Sequence, residues 1–161
     1  MLVMLAMLTA LEIVLERFCS FQAWNLRVGF SFTALALAGM LFGPAAAGGV
    51  GAAGDLIGML LFPNGTFFPG FTLTAVLKGL VYGFFLHRSQ KAGRIIGTVL
   101  VVELILSQCL QTLWLSILYG SPYEAIFVTR LTQTAVMIPV QLLVLFALLK
   151  IIRPLQLQLL Q

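Results

Sequence analysis

Charge is what this chain has least of. Of its 161 residues only 9% are charged, nine basic and five acidic, with a single histidine. A soluble domain needs roughly a quarter of its residues charged to stay in water, so that class is excluded. Nine scattered cations also give no basic tract for a nucleic-acid partner, and none is expected. Two cysteines, Cys19 and Cys109, make neither a disulfide framework nor a metal set. The sequence holds no Gly-rich phosphate loop, no His/Cys cluster and no paired acidic motif of a membrane phosphotransferase. No catalytic residue, cofactor or metal is therefore expected. The opening stretch MLVMLAMLTALEIVLERF has no basic leader and no small-residue cleavage site, so it reads as a retained first span rather than a secretory signal.

What the chain does have is apolar length. Hydrophobic residues make up 61%, and the mean hydropathy is +1.09. A spanning helix takes about 20 apolar residues, so the length allows roughly five to seven spans and no soluble domain. Apolar runs and their breakers predict an all-α, integral membrane six-helix bundle that is one domain over 1–161. Its spans are expected at about 1–17, 29–43, 45–62, 70–86, 95–118 and 124–149. Gly43-Pro44, FPNGTFFPG, HRSQKAGR and YGSPYE supply the breaks. Arg88, Lys91 and Arg94 in one loop and Lys150 and Arg153 in the tail place that side, with both termini, in the cytoplasm. Residues 18–28, 62–70 and 119–123 then face outward.

The uncharged turn LLFPNGTFFPGFTLTA has two readings. Its rings, Phe67, Phe68 and Phe71 among them, either anchor the chain at the membrane interface or cover a ligand. Small residues four apart, as in Ala34/Ala38, Gly39/Gly43, Gly54/Gly58, Gly79/Gly83 and Gly93/Gly97, let helix backbones approach in lipid. Ala6/Ala10 belongs to the same class, but on a first helix where it forms either bundle packing or a docking face.

Polar groups inside spans are expensive and mark cavities, partners or one another. At 100° per residue, Glu103, Ser107, Gln111 and Trp114 share a stripe in the fifth span, with Gln108 beside it. Arg130, Thr134, Met137 and Gln141 share one in the sixth, flanked by Gln133. The amides either glue the two helices or meet a ligand. A buried guanidinium wants an anion, which Glu16, Glu124 or a ligand would supply. Arg27, flanked by Trp24 and Phe30, adds a second outward cation. Together these outline a pocket for a flat, hydrogen-bonding anion. Asp55 and Lys78 are expected to pair with each other across neighbouring helices.

Residues 26–83, LRVGFSFTALALAGMLFGPAAAGGVGAAGDLIGMLLFPNGTFFPGFTLTAVLKGLVYG, resemble the membrane substrate-binding (S) component of energy-coupling factor (ECF) vitamin transporters, in the folate branch. GDLIGMLLFP followed by FPGFTLTA is the most specific portion; beyond residue 95 the likeness lies in layout and polar positions. The resemblance implies a multi-pass bacterial plasma-membrane protein that binds a vitamin without transforming it, beneath the loops after the first and third spans. It implies partners: a transmembrane coupling protein met through the first three helices, and two cytoplasmic ATPases. Family docking uses an Ala-x-x-x-Ala pair on the first helix, matched by Ala6 and Ala10. Folate suits the polar positions, with a pterin edge for Gln108 and Gln111, a benzoyl ring for the phenylalanines and a glutamate tail for Arg27 or Arg130. An S component for another vitamin, or a small membrane enzyme or channel, are the alternatives.

Overall fold

The computed structural model describes residues 2–23, 26–63, 68–89 and 91–159, with only the backbone for 21–23, 26–28, 156 and 159. Six helices traverse the molecule in alternating directions: α1 (Leu2–Arg17), α2 (Phe32–Phe42), α3 (Pro44–Leu61), α4 (Pro69–Leu86), α5 (Ala92–Tyr119) and α6 (Tyr123–Leu159). The last four are each long and apolar enough to cross a bilayer. Large apolar side chains stand outward on their flanks, including Leu60, Phe84 and Leu143, as a surface solvated by lipid requires. The chain is a multi-pass membrane protein, an all-α six-helix bundle. A short antiparallel hairpin, β1 (Phe21–Ala23) with β2 (Leu26–Val28), joins α1 to α2, pairing Phe21 with Val28 and Gln22 with Arg27.

Glycine decides how α2, α3 and α4 meet. A Cβ on Gly39 of α2 would fall 2.7 Å from the backbone nitrogen of Gly83 on α4, and one on Gly51 of α3 would fall 2.7 Å from the carbonyl oxygen of Ala75. Gly79 and Gly83 in turn abut the backbones of Ala47 and Pro44. Lipid gives helices no hydrophobic reason to associate, so backbone proximity of this kind is what holds them. Gly43, at φ +93°, turns α2 into α3 just ahead of Pro44, a conformation that a side chain resists. Gly54 and Gly58 leave room on α3 for Glu12 and Arg17 of α1. Gly93 and Gly97 differ, since nothing lies within 4 Å of a Cβ built on either.

Helix α2 has only 11 residues, about 16 Å at 1.5 Å per residue, half of a bilayer core. Its short length leaves space in the bundle at the hairpin end, and β2 packs there against α6. Helix α5 is not uniformly α-helical. Over Val102–Leu110 it widens into a π-helix, a feature that frequently marks functional sites. Helix α6 continues through Pro139, whose missing N–H removes the helical hydrogen bond to the carbonyl of Ala135.

Candidate functional site

The space above α2 is a cavity of about 120 Å³. One wall is Glu16 at the end of α1, Gly29 and Ser31 after the hairpin, and Phe32 and Leu35 of α2. The other is polar: Lys78 of α4, Glu103, Ser107 and Gln111 of α5, and Gln133 and Gln141 of α6, with Met137 between them. In a bundle whose interior is mostly aliphatic, that concentration of amides and charge sets the place apart.

The π-helical stretch explains how α5 delivers so many polar groups. An α-helix sends residues five apart to different sides, whereas the wider π turn brings residues four and five apart onto one face. Glu103, Ser107 and Gln108 are accordingly all buried. The regular 100° step expected from sequence places Gln108 to one side of the stripe; the observed backbone draws it into the α5–α6 interface.

Two hydrogen-bond chains fix these side chains. In the first, the Tyr82 hydroxyl donates to Gln141 Oε1 at 3.0 Å, and Gln141 Nε2 donates to Glu103 Oε1. The Ser107 hydroxyl reaches the same carboxylate oxygen at 3.5 Å. Lys78 and Arg130 lie near enough to act on Glu103 electrostatically. In the second chain, Thr134 Oγ1 donates to Gln108 Oε1 at 2.6 Å and Gln108 Nε2 donates to the carbonyl of Phe127 at 2.7 Å. Beside it, Arg130 donates through a terminal guanidinium nitrogen to Gln111 Oε1 at 2.9 Å. Buried polar groups must be satisfied, and here the two helices satisfy one another.

The residues singled out in the sequence fall into distinct places. Gln111 lines the cavity and Arg130, buried, is bonded to it. Gln108 and Thr134 are bonded to each other and hold α5 to α6. Phe68 and Phe71 stack edge-on with centroids 5.9 Å apart, and Phe68 lies 5.6 Å from Trp114. Trp114 also donates to Thr74 Oγ1 at 3.1 Å, tying this aromatic cluster to the start of α4. Arg27 is placed by its backbone pairing with Gln22; Trp24 and Phe67 lie outside the described residues. Ala6 and Ala10 are both exposed on α1. Among the described residues no group of three or more His, Cys, Asp or Glu could hold a metal.

Several cavity residues lie outside the pocket expected from sequence. Glu103, Ser107, Met137 and Gln141 were visible only as members of stripes, while Glu16 and Lys78 come from other helices with no spacing to connect them. Lys78, expected opposite Asp55, lines the cavity, and Asp55 accepts a hydrogen bond from Thr72 Oγ1 at 2.5 Å outside it.

A membrane bundle enclosing a polar cavity, with aromatic rings clustered near by, defines a solute-binding membrane protein. The family profile described as "ECF-type riboflavin transporter, S component" matches residues 1–154, and the chain belongs to this family of S components. Among its relatives, the folate transporter FolT of Clostridium novyi (strain NT) is 40% identical over 146 residues, covering 90% of this chain and 85% of that one. A second folate transporter FolT, from Leuconostoc mesenteroides subsp. mesenteroides, is 32% identical over 146 residues, 86% of this chain and 78% of the relative. The crystal structure of FolT bound with folic acid superimposes with a TM-score of 0.86 at 37% identity, covering 91% of this chain and 90% of that chain.

Proposed function

We propose that the chain captures folate at the outer face of a bacterial membrane and hands it to an ATP-driven coupling module without altering it. The observation that carries this reading is the polar cavity above the short α2, in a fold that matches a folic-acid-bound FolT along nine-tenths of both chains. Orientation follows from charge. Arg88, Lys91 and Arg94 connect α4 to α5 at the end opposite the hairpin, and Lys150 and Arg153 close α6 there. Lys and Arg favour the cytoplasmic side, so both termini lie inside and the hairpin end faces out. In that frame Arg130 and Arg27 attract the glutamate tail, Gln111 and its neighbours bond the ring edge, and Phe68 and Phe71 cover the benzoyl group.

Ala6 and Ala10, exposed on the cytoplasmic half of α1, form the small-residue patch that receives a transmembrane coupling protein, with two cytoplasmic ATPases beyond it. Riboflavin is the second reading, favoured by the description of the family profile. A ligand screen on purified protein decides: folate and reduced folates are expected to bind stoichiometrically, without ATP, and to be recovered intact. Tight binding of riboflavin with no capture of folate overturns the folate assignment, and a converted product overturns the class.

A further inference from the structure

We propose that Glu103 is the residue that selects the ligand's ring, accepting two parallel hydrogen bonds from a ring N–H and the exocyclic amine next to it. That edge belongs to a 2-amino-4-oxo pteridine; a flavin instead presents an N–H between two carbonyls. The inference rests on the folate reading above and adds to it the group that enforces it.

Three features of Glu103 make it selective. First, it lines the cavity from within the bundle and is only 3% exposed, so a ligand that fills the cavity leaves it no bulk water to take the place of a missing donor. Second, its plane is fixed. Gln141 donates to Oε1, and Gln141 is itself held by the hydroxyl of Tyr82, which is fully buried. Third, the role belongs to the carboxylate anion, favoured by the nearby cations Lys78 and Arg130: it only accepts, whereas an amide such as that of Gln133 on the same cavity carries both a donor and an acceptor and can present either. An amide wall therefore tolerates an amine or a carbonyl at the same position of a ligand. A carboxylate does not: facing a carbonyl it stays buried and unpaired, a loss that lets polar sites reject an analogue by orders of magnitude. Glu16 is the other carboxylate on the cavity, but it sits partly exposed at the hairpin end, where hydration blunts discrimination.

The test compares folic acid with its 2-oxo analogue, in which a carbonyl replaces the exocyclic amine, on purified wild-type protein and on Glu103→Gln and Glu16→Gln. Wild type is expected to favour folic acid by about a hundredfold or more. Glu103→Gln should weaken folic acid by about tenfold to a hundredfold, the loss of one charge-assisted pair, while the analogue holds or gains, so that the ratio collapses. Glu16→Gln should keep the ratio. A residue needed only for folding would lower both ligands together. Equal binding of the two ligands by wild type overturns the inference even where a variant fails to fold, as does a collapse produced by Glu16→Gln in place of Glu103→Gln. Wild type that takes riboflavin and no folic acid strikes down the vitamin assignment and this inference with it; folic acid bound without discrimination strikes down the inference alone.

Discussion

Replacing Gly39 by Ala adds one methyl group where the structure has no room for it. The new Cβ would lie 2.7 Å and 2.8 Å from the nitrogen and Cα of Gly83 and 3.0 Å from the carbonyl carbon of Tyr82. All three are backbone atoms, so no rotamer change relieves the overlap; α2 and α4 must separate by roughly an ångström to restore ordinary contact distances. Overpacking of this kind costs about 1–3 kcal/mol. For a chain of this size, roughly 2–4 °C of melting temperature per kcal/mol gives a fall of about 2–12 °C. Tyr82 moves with α4, and its bond to Gln141 supports Glu103, so folate affinity should fall as well. The assay is thermal melting of purified protein in detergent, with ligand titration alongside. Gly97→Ala serves as the comparison, since nothing lies within 4 Å of its Cβ and alanine is the better helix former. If Gly39→Ala melts with the parent, or Gly97→Ala is equally damaging, close backbone packing is not what holds α2 to α4.

Three further outcomes are expected. Arg130→Ala should weaken folate by about tenfold to a hundredfold with little change in kon, because a buried charge-assisted contact is lost; titration calorimetry reads it, and unchanged affinity removes Arg130 from the site. Phe68→Ala opens the cluster with Phe71 and Trp114 and should cost about 0.5–1.5 kcal/mol in melting stability beyond lost area, together with faster ligand release. Ala6→Trp combined with Ala10→Trp should leave folate affinity intact, since both positions point outward, yet abolish uptake in cells and co-purification with the coupling module; normal uptake would free that face from the mechanism.

Polar residues in apolar spans were the legible part of the site because each one is a rare and costly event that local sequence cannot hide. Gln111 and Arg130 each stand on the polar stripe of their own helix in the sequence, and in the bundle they meet at 2.9 Å. The helical arithmetic failed where its premise did. A step of 100° assumes α geometry throughout, and nothing in VELILSQCL announces that these residues widen to a π-helix and turn Gln108 inward. Lys78 escaped for a different reason. Its nearest opposite charge along the chain is Asp55, yet which helices surround a cavity depends on their lengths, and the 11 residues of α2 open the space that Lys78 enters. The paired strands Phe21–Ala23 and Leu26–Val28 likewise lie inside a stretch expected only as an outer loop.

The helices around the cavity are held together by different physics, and that difference divides the effects of mutation. Where α2, α3 and α4 touch, backbone lies against backbone through Gly39, Gly51, Gly79 and Gly83, and such a contact contains no side chain that can reorient. Where α5 meets α6, the contact is made by amide and hydroxyl groups, Gln108 with Thr134 and Gln111 with Arg130, whose partners can exchange for those of a ligand at modest cost. The glycine-packed helices are thus a fixed frame that carries Lys78, and the contact between α5 and α6 is the part able to adapt to what enters. A substitution among the glycines should accordingly register first in melting temperature, and one among the amides first in affinity. The exposed Ala6 and Ala10 lie on neither wall, which leaves docking to be altered without touching the cavity.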